Sequence, residues 1–120
     1  MRRNSGREEF MGLIRKLTER EIRLVSYLAN KANYELHPNW LEDVDVMPLA
    51  DGGMGSIIFT TPDTQDERRA ETLISDCEFK DIDNITVIAS LYIDGNKKLY
   101  ELDIWKTDFS PLIEIPHTFC

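Results

Sequence analysis

The chain has 120 residues, of which 42% are hydrophobic and 30% are charged. This length suits one domain with a single core, and there is no apolar run of about 18 residues that could cross a bilayer. The N-terminus is basic but lacks the apolar stretch of an export signal, so we expect a cytoplasmic protein without a membrane partner. Its cysteines, Cys77 and the C-terminal Cys120, are expected to be free thiols.

The formal net charge of −8 is unevenly distributed. Residues 1–34 contain eight Lys or Arg against four Asp or Glu, whereas residues 35–120 contain six against eighteen. An acidic body repels the phosphates of nucleic acids, so we expect no binding to nucleic acids. A basic protein is the electrostatically easier partner. The alternative is that the acidity only maintains solubility.

A helix is predicted to begin at Thr18, where Thr18 and Glu21 have the spacing of a capping box. Apolar residues then recur at steps of three and four, namely Ile22, Val25, Leu28, Ala29 and Ala32. This spacing is typical of an amphipathic helix with one face on a core. We expect residues 1–14 to form a basic arm or short helix and residues 15–120 to form one α+β domain.

From residue 44 onward the apolar residues alternate, which is typical of strands. Strands are predicted over residues 44–49, 56–61, 71–80, 85–93 and 99–106. The strand over 85–93 is the richest in β-branched residues and is expected to be central. Because the turns are too short for parallel crossovers, the pairing should be antiparallel. The predicted fold is therefore α+β, with the N-terminal amphipathic helix packed on an antiparallel β-meander of about five strands.

Alternation also assigns the two faces of the predicted strand over 71–80. One face is expected to carry Leu73, Ser75, Cys77 and Phe79. Ile74, Asp76 and Glu78 then lie on the opposite face.

A glycine-rich segment follows the first strand and contains Asp51, Gly52, Gly53 and Gly55. Phosphate-binding loops use such glycines, but a helix follows them and P-loops carry a lysine. Here a strand follows and the lysine is absent. The pattern therefore favours a hairpin turn that needs positive φ angles, with a ligand loop as the alternative.

Carboxylates alternate on two predicted strands, as Asp76 with Glu78 and as Glu101 with Asp103. If the two strands expose the same face, the four form one acidic surface. Three interpretations remain open: a solvated outer face, a docking surface for a basic protein, and carboxylate pairs for acid–base or metal chemistry. The third is disfavoured because a uniformly acidic open face does not separate the pKa values of two carboxyls.

The remaining candidate residues do not predict a catalytic or metal site. Trp105 is expected either to pack at the sheet margin or to act as an interaction anchor. His37 and His117 lack the spacing of zinc ligands, and Cys77 is typical of a small core residue. We therefore expect no catalytic residue, no metal and no cofactor, and favour a protein that is not an enzyme.

Three stretches carry a resemblance to known sequences. They are the LTERE segment that opens the helix at Leu17, the DGGMGSIIF segment that begins at Asp51, and the LYELDIWKTDFSPL segment that begins at Leu99. Over roughly residues 15–116 the chain resembles an uncharacterised family of small single-domain bacterial proteins, a domain of unknown function. The resemblance implies a bacterial protein and brings no activity or ligand residues with it.

The leading hypothesis is a non-enzymatic protein-binding domain whose acidic sheet surface docks a basic partner, with Trp105 and Tyr100 or Tyr92 contributing. An immunity protein against a bacterial toxin is its most concrete form. One alternative is a ligand-binding or enzymatic domain with a pocket between helix and sheet near Trp40 and the glycine-rich hairpin. Another is a self-associating structural module.

Overall fold

The computed structural model describes residues 14–60 and 68–119, which form one helix and one sheet. The elements are α1 (Glu19–Lys31), β1 (Asp45–Pro48), β2 (Ile57–Thr60), β3 (Thr72–Lys80), β4 (Thr86–Ile93) and β5 (Leu99–Lys106). All strand pairs are antiparallel, so the α+β prediction of a helix on a meander-like sheet of five strands is confirmed. The basic arm predicted for residues 1–14 lies, except for residue 14, outside the described residues.

The strands lie in the order β1-β2-β5-β4-β3. The β1–β2 hairpin and the β3–β4–β5 meander are joined by pairing of β2 with β5, where Ile57 lies opposite Leu102. The strand expected to be central, β4, lies inside the sheet, with β3 on one side and β5 on the other. The middle strand of the five is β5.

The capping box at the start of α1 is confirmed. Thr18 Oγ1 accepts a hydrogen bond from the Glu21 amide at 3.1 Å, and the Glu21 carboxylate accepts one from the Thr18 amide at 2.9 Å. Both oxygens of Glu21 also accept from Arg15, each at 2.9 Å, and this hydrogen bonding raises the pKa of the Arg15 guanidinium. The backbone of Arg15 pairs with Val46 in β1, so one residue joins the helix start to the edge of the sheet.

The seam between α1 and the sheet is apolar and closed. Leu24, Val25 and Leu28 are completely buried there, against one face of the sheet. The sheet contributes Phe59, Val87, Ala89, Leu91, Leu102 and Ile104, among others. Burial of these side chains supplies most of the drive for folding. In the described part of the chain, no helix is both long and apolar enough to cross a membrane.

A β-bulge changes the predicted faces at the start of β3. The register with β4 shifts between Leu73 and Ser75, because Leu73 pairs with Tyr92 while Ser75 pairs with Leu91. The bulge breaks the strict alternation on which the prediction relied. Leu73 is consequently 45% exposed and Ile74 packs on the core, so the faces expected for these two residues are wrong. From Ser75 to Lys80 the predicted alternation holds.

Candidate functional site

The face of the sheet that points away from α1 carries the predicted carboxylates. Asp76, Ser90 and Asp103 lie directly opposite one another on β3, β4 and β5. Residues opposite one another in adjacent strands share a face, so the carboxylates of β3 and β5 share one. The core residues Cys77 and Ala89, which alternate with them, lie on the α1 side. We call the side that carries Asp76 and Asp103 the open face.

A second row on the open face joins a carboxylate to an aromatic ring, since Glu78, Ile88 and Trp105 lie opposite one another. Among the predicted carboxylates, Asp76 and Glu78 are exposed and Asp103 is half-buried. The open face therefore presents acidic groups and, within the same two rows, apolar surface.

Glu101 also lies on the open face, opposite Ile58 and Tyr92, but its side chain is completely buried. The expectation that Glu101 forms part of the exposed acidic surface is therefore wrong. It lies in the middle strand, with neighbouring strands on both sides, and alternation alone does not predict how far those neighbours cover it. Tyr100 is likewise buried, in a small cluster with Leu49 and Ile58.

Trp105 is half-buried and contacts one exposed aromatic residue. Its ring centroid lies 6.1 Å from that of Phe109. The Trp105 Nε1 atom is buried, and no atom of residues 14–60 or 68–119 accepts a hydrogen bond from it. Phe109 is 59% exposed and has a φ of 65°, a left-handed conformation that costs a bulky residue about 1–2 kcal/mol. Trp105 thus packs against Phe109 near the end of β5, and its role as an interaction anchor stays a prediction.

The glycine-rich loop binds a carboxylate of its own. One oxygen of Asp51 accepts from the Met54 amide and the other from the Ser56 amide, each at 3.0 Å. Gly52, Gly53 and Gly55 all have positive φ angles, which agrees with the predicted turn. An external phosphate at these two amides would have to displace the Asp51 carboxylate.

The same loop holds the segment that follows β5. The Leu112 amide donates to the Gly53 carbonyl at 3.0 Å, and a Cβ atom on Gly53 would lie 3.2 Å from Pro111 Cβ. Ser56 Oγ accepts from the Ile104 amide at 2.8 Å. Two of the sequence stretches that carried the resemblance, the glycine-rich hairpin and the C-terminal motif, are therefore in direct contact.

A buried lysine at the end of β5 organises this contact. Lys106 Nζ donates to Asp81 Oδ2 at 2.8 Å, to Asp83 Oδ2 at 2.7 Å and to the Pro111 carbonyl at 3.1 Å. The side chains of Lys106 and Asp81 are 1% and 0% exposed. All three protons of the ammonium group are used, as burial of a charge requires.

Asp81 extends this ion cluster to the C-terminal segment. Its carboxylate accepts from the Ile113 amide at 2.7 Å, the Glu114 amide at 3.0 Å and the Ile82 amide at 2.8 Å. Burial alone would raise the pKa of Asp81, but hydrogen bonds from Ile113, Lys106, Ile82 and Glu114 outweigh it and lower the pKa. Burial likewise opposes the charge of Lys106, and its bonds to Asp81 and Asp83 nevertheless raise its pKa.

Sequence reasoning missed Lys106 and Asp81. A signal for the lysine was present, because Lys106 continues the series of Leu102 and Ile104, which face the core. A lysine at a core position needs buried acceptors. We call residues 111–115, which accept from Lys106 and donate to Asp81 and Gly53, the C-terminal strap.

A second buried ion pair fixes the other end of the sheet. Arg68 Nε donates to Asp94 Oδ2 at 2.7 Å, and its guanidinium also donates to the Phe59 and Leu99 carbonyls. Asp94 further accepts from the Asn96 and Lys98 amides. Burial works against the charge of Asp94, but these hydrogen bonds prevail and lower its pKa. Both buried ion clusters therefore bind backbone groups of the fold.

The C-terminal strap and the residues that follow it contact α1. Glu114 of the strap forms an ion pair with Arg20 at 3.0 Å, and the ring nitrogens of His117 lie 2.9 Å from Arg20 and 2.6 Å from Arg23. Phe119 packs against Tyr27 and Phe79. In the described ranges, no group of three or more His, Cys, Asp and Glu residues is arranged to hold a metal ion.

Trp40 and the glycine-rich loop lie at opposite ends of β5. Trp40 lines a groove of about 260 Å³ together with Tyr34, His37 and Leu99, the first residue of β5. The loop contacts Ile104 and Lys106, near the end of the same strand. An eight-residue strand is about 24 Å long, so no single pocket contains both features.

We expect Asp81→Asn to change both the stability and its dependence on pH. The pKa of Asp81 is lower in the folded protein, so its contribution is present above its unfolded value of about 3.9 and is lost as the pH falls through the folded value. The variant should melt roughly 10 °C lower at neutral pH, because Lys106 loses a charged partner. Its stability should also fall less steeply between about pH 5 and pH 2 than that of the parent.

Calorimetry across this pH range checks the prediction. Asp43→Asn is the matched control, because Asp43 is exposed and should change neither quantity. If the Asp81→Asn variant loses as much stability in acid as the parent, the Asp81 carboxylate is not the source of this pH dependence.

Substituting alanine for each of two neighbouring glycines distinguishes two effects on stability: backbone strain, and a clash with the C-terminal strap. Gly52 and Gly53 have φ angles of 76° and 82°, so each substitution should cost about 1 kcal/mol of unfolding free energy. Only the Gly53 Cβ would meet Pro111, whereas nothing lies within 4 Å of a Cβ on Gly52. Urea unfolding should therefore show a larger loss for Gly53→Ala. Equal losses of unfolding free energy in the two variants would mean that the strap can move away from a Cβ at position 53 without loss of stability.

The chain was also compared with known proteins. No curated protein and no solved structure matches it. Residues 14–116 match a family described as a domain of unknown function, DUF6984. The match includes the glycine-rich loop, the ion cluster of Lys106 and the C-terminal strap, and it covers most of the chain. The chain therefore belongs to the DUF6984 family of domains of unknown function.

Proposed function

We propose that this domain is a non-enzymatic binding protein that docks a basic protein on its open face. The observation that carries the proposal is the pair of rows Asp76–Ser90–Asp103 and Glu78–Ile88–Trp105. These rows bring carboxylates and a tryptophan to one face. Charged rims accelerate and orient association, and aromatic residues supply much of the affinity in protein interfaces.

Charge supports a cationic partner. The chain has a formal net charge of −8, and residues 35–120 contain eighteen acidic against six basic residues. Of those six, Lys106 is buried with two aspartates, Arg68 is paired with Asp94, and Arg69 is paired with Glu71. Lys80 lies on the open face opposite Thr86, to which it donates a hydrogen bond, so this face carries one lysine against the carboxylates of Asp76, Glu78 and Asp103. The open face is therefore acidic on balance.

The internal chemistry of the fold supports binding rather than catalysis. The ammonium group of Lys106 has three acceptors, and the Asp51 carboxylate is bound by two backbone amides. Catalytic groups are instead held in a cleft with access to a substrate. Asp76 and Glu78 lie on an open sheet surface, and the seam between α1 and the sheet is closed.

The most concrete form of the proposal is a bacterial immunity protein that neutralises a basic toxin. Enzymes that act on nucleic acids carry basic surfaces that bind phosphates, and a row of carboxylates is complementary to such a surface. A small, strongly acidic domain fits that task. Among the described residues, Cys77 forms no disulfide, which agrees with a reducing compartment and with a cytoplasmic location for such a protein.

Matched charge reversals test the proposal. The test variant combines Asp76→Lys with Glu78→Lys, and the control combines Glu42→Lys with Asp43→Lys, two exposed residues away from the open face. Both variants change the net charge equally. The tagged parent is used to capture partners in the native host, which are identified by mass spectrometry and titrated by calorimetry. We expect the test variant to lose about tenfold or more in affinity, and the control to change little.

Three results would contradict the proposal. Equal weakening by both variants would indicate attraction to the net charge alone. A captured partner that is itself acidic would remove the electrostatic argument. Association of the chain with itself, seen by light scattering, would favour a structural module instead.

A further inference from the structure

Exposed apolar residues gather at the end of the sheet where Lys106 lies. Ile82 is 69% exposed, Phe109 59% and Ile113 53%. The amides of Ile82 and Ile113 both donate to the Asp81 carboxylate, which binds Lys106. The Phe109 amide donates to the Lys106 carbonyl at 2.7 Å. The backbone of Ile82 and Ile113 is therefore bonded to the buried ion cluster, and that of Phe109 to the main chain of Lys106.

The turn around Phe109 holds its ring in solvent. Phe109 has a positive φ of 65°, which a bulky residue adopts only when its surroundings impose it. The Asp108 carboxylate accepts from the Ser110 amide at 3.0 Å and from the Ser110 hydroxyl at 2.6 Å, which closes the turn. Because the Phe109 ring is exposed and its backbone is strained, the ring contributes little to the stability of the isolated domain. It is suited to insertion into another surface.

Phe109 is continuous with the open face. Its ring contacts Trp105, which ends the row that contains Glu78 and Ile88. Acidic residues lie nearby: Asp108 is exposed, and the side chain of Asp83 is 37% exposed. Hydrogen bonds from Ser110 lower the pKa of Asp108, so this side chain is charged at neutral pH. Phe109 therefore combines an apolar tip with an acidic surround.

We propose that Phe109 is the anchor by which this domain binds its basic partner, with Ile82 and Ile113 as flanking apolar contacts. This inference rests on the proposed function and adds a second part to the same docking surface. The partner must offer an apolar pocket bordered by Lys or Arg. A second copy of the chain is a poor occupant, because Asp83 and Asp108 would then face the same residues of the other copy.

Photo-cross-linking in the native host tests the anchor. The probe p-benzoylphenylalanine replaces Phe109 in one version of the full chain and Ile14 in the control. Ile14 is also an exposed apolar residue, and it precedes Arg15, whose backbone pairs with β1 at the opposite edge of the sheet from β3. We expect position 109 to cross-link to one basic protein and position 14 not to do so. No adduct at 109, an adduct with a non-basic protein, or an adduct with a second copy would overturn the inference.

Affinity for the cross-linked protein, purified and titrated by calorimetry, provides the second measurement. Phe109→Gly removes the ring, while glycine accepts the positive φ without strain, so the variant should stay folded by circular dichroism. We expect about a tenfold or greater loss of affinity for Phe109→Gly and less than about a twofold change for Ile14→Ala. Unchanged affinity in Phe109→Gly would overturn the anchor. If the Asp76 and Glu78 reversals still weaken binding in that case, the proposed function stands without it.

Discussion

The buried ion pair between Lys106 and Asp81 is the interaction on which this end of the molecule depends. A buried ammonium group is tolerated only when each of its protons has an acceptor, and here two aspartates and the Pro111 carbonyl supply them. Asp81 in turn accepts from two amides of the C-terminal strap. The ion pair therefore fixes the β3–β4 turn, the end of β5 and the strap relative to one another. The glycine-rich loop completes this arrangement, because Gly53 leaves room for Pro111.

This arrangement separates the residues that build the domain from those available to a partner. The glycine-rich loop and the C-terminal motif meet each other, and their most distinctive groups bind the backbone. In this chain, the contacts of both segments serve the fold. The carboxylates of Asp76 and Glu78 and the ring of Phe109 have no comparable role in holding the fold, and they lie on the surface. That contrast is why the proposals for binding rest on the open face and its margin.

The sequence predicts features that depend on neighbours along the chain. Thr18 and Glu21 are three residues apart, so their capping box is local, and alternation locates the strands. Alternation does not predict how deeply a side chain is buried when that burial depends on strands distant in the chain. Glu101 is covered in the middle of the sheet, Leu73 is displaced by a bulge, and the acceptor Asp81 lies 25 residues from Lys106. The shared face of Asp76 and Asp103 likewise follows only from the strand register, which turns and pairing determine together.

The hydrogen bonds to Asp81 make the C-terminal strap part of the folded core and not an appended tail. Native-state hydrogen exchange of the Ile113 and Glu114 amides, which donate to Asp81, tests this claim most directly. If the claim is correct, both amides exchange only through global unfolding, with opening free energies within about 1 kcal/mol of the slowest amides in β4 and β5. Exchange through a local opening that costs about 3 kcal/mol less than global unfolding, with the sheet still protected, would contradict it.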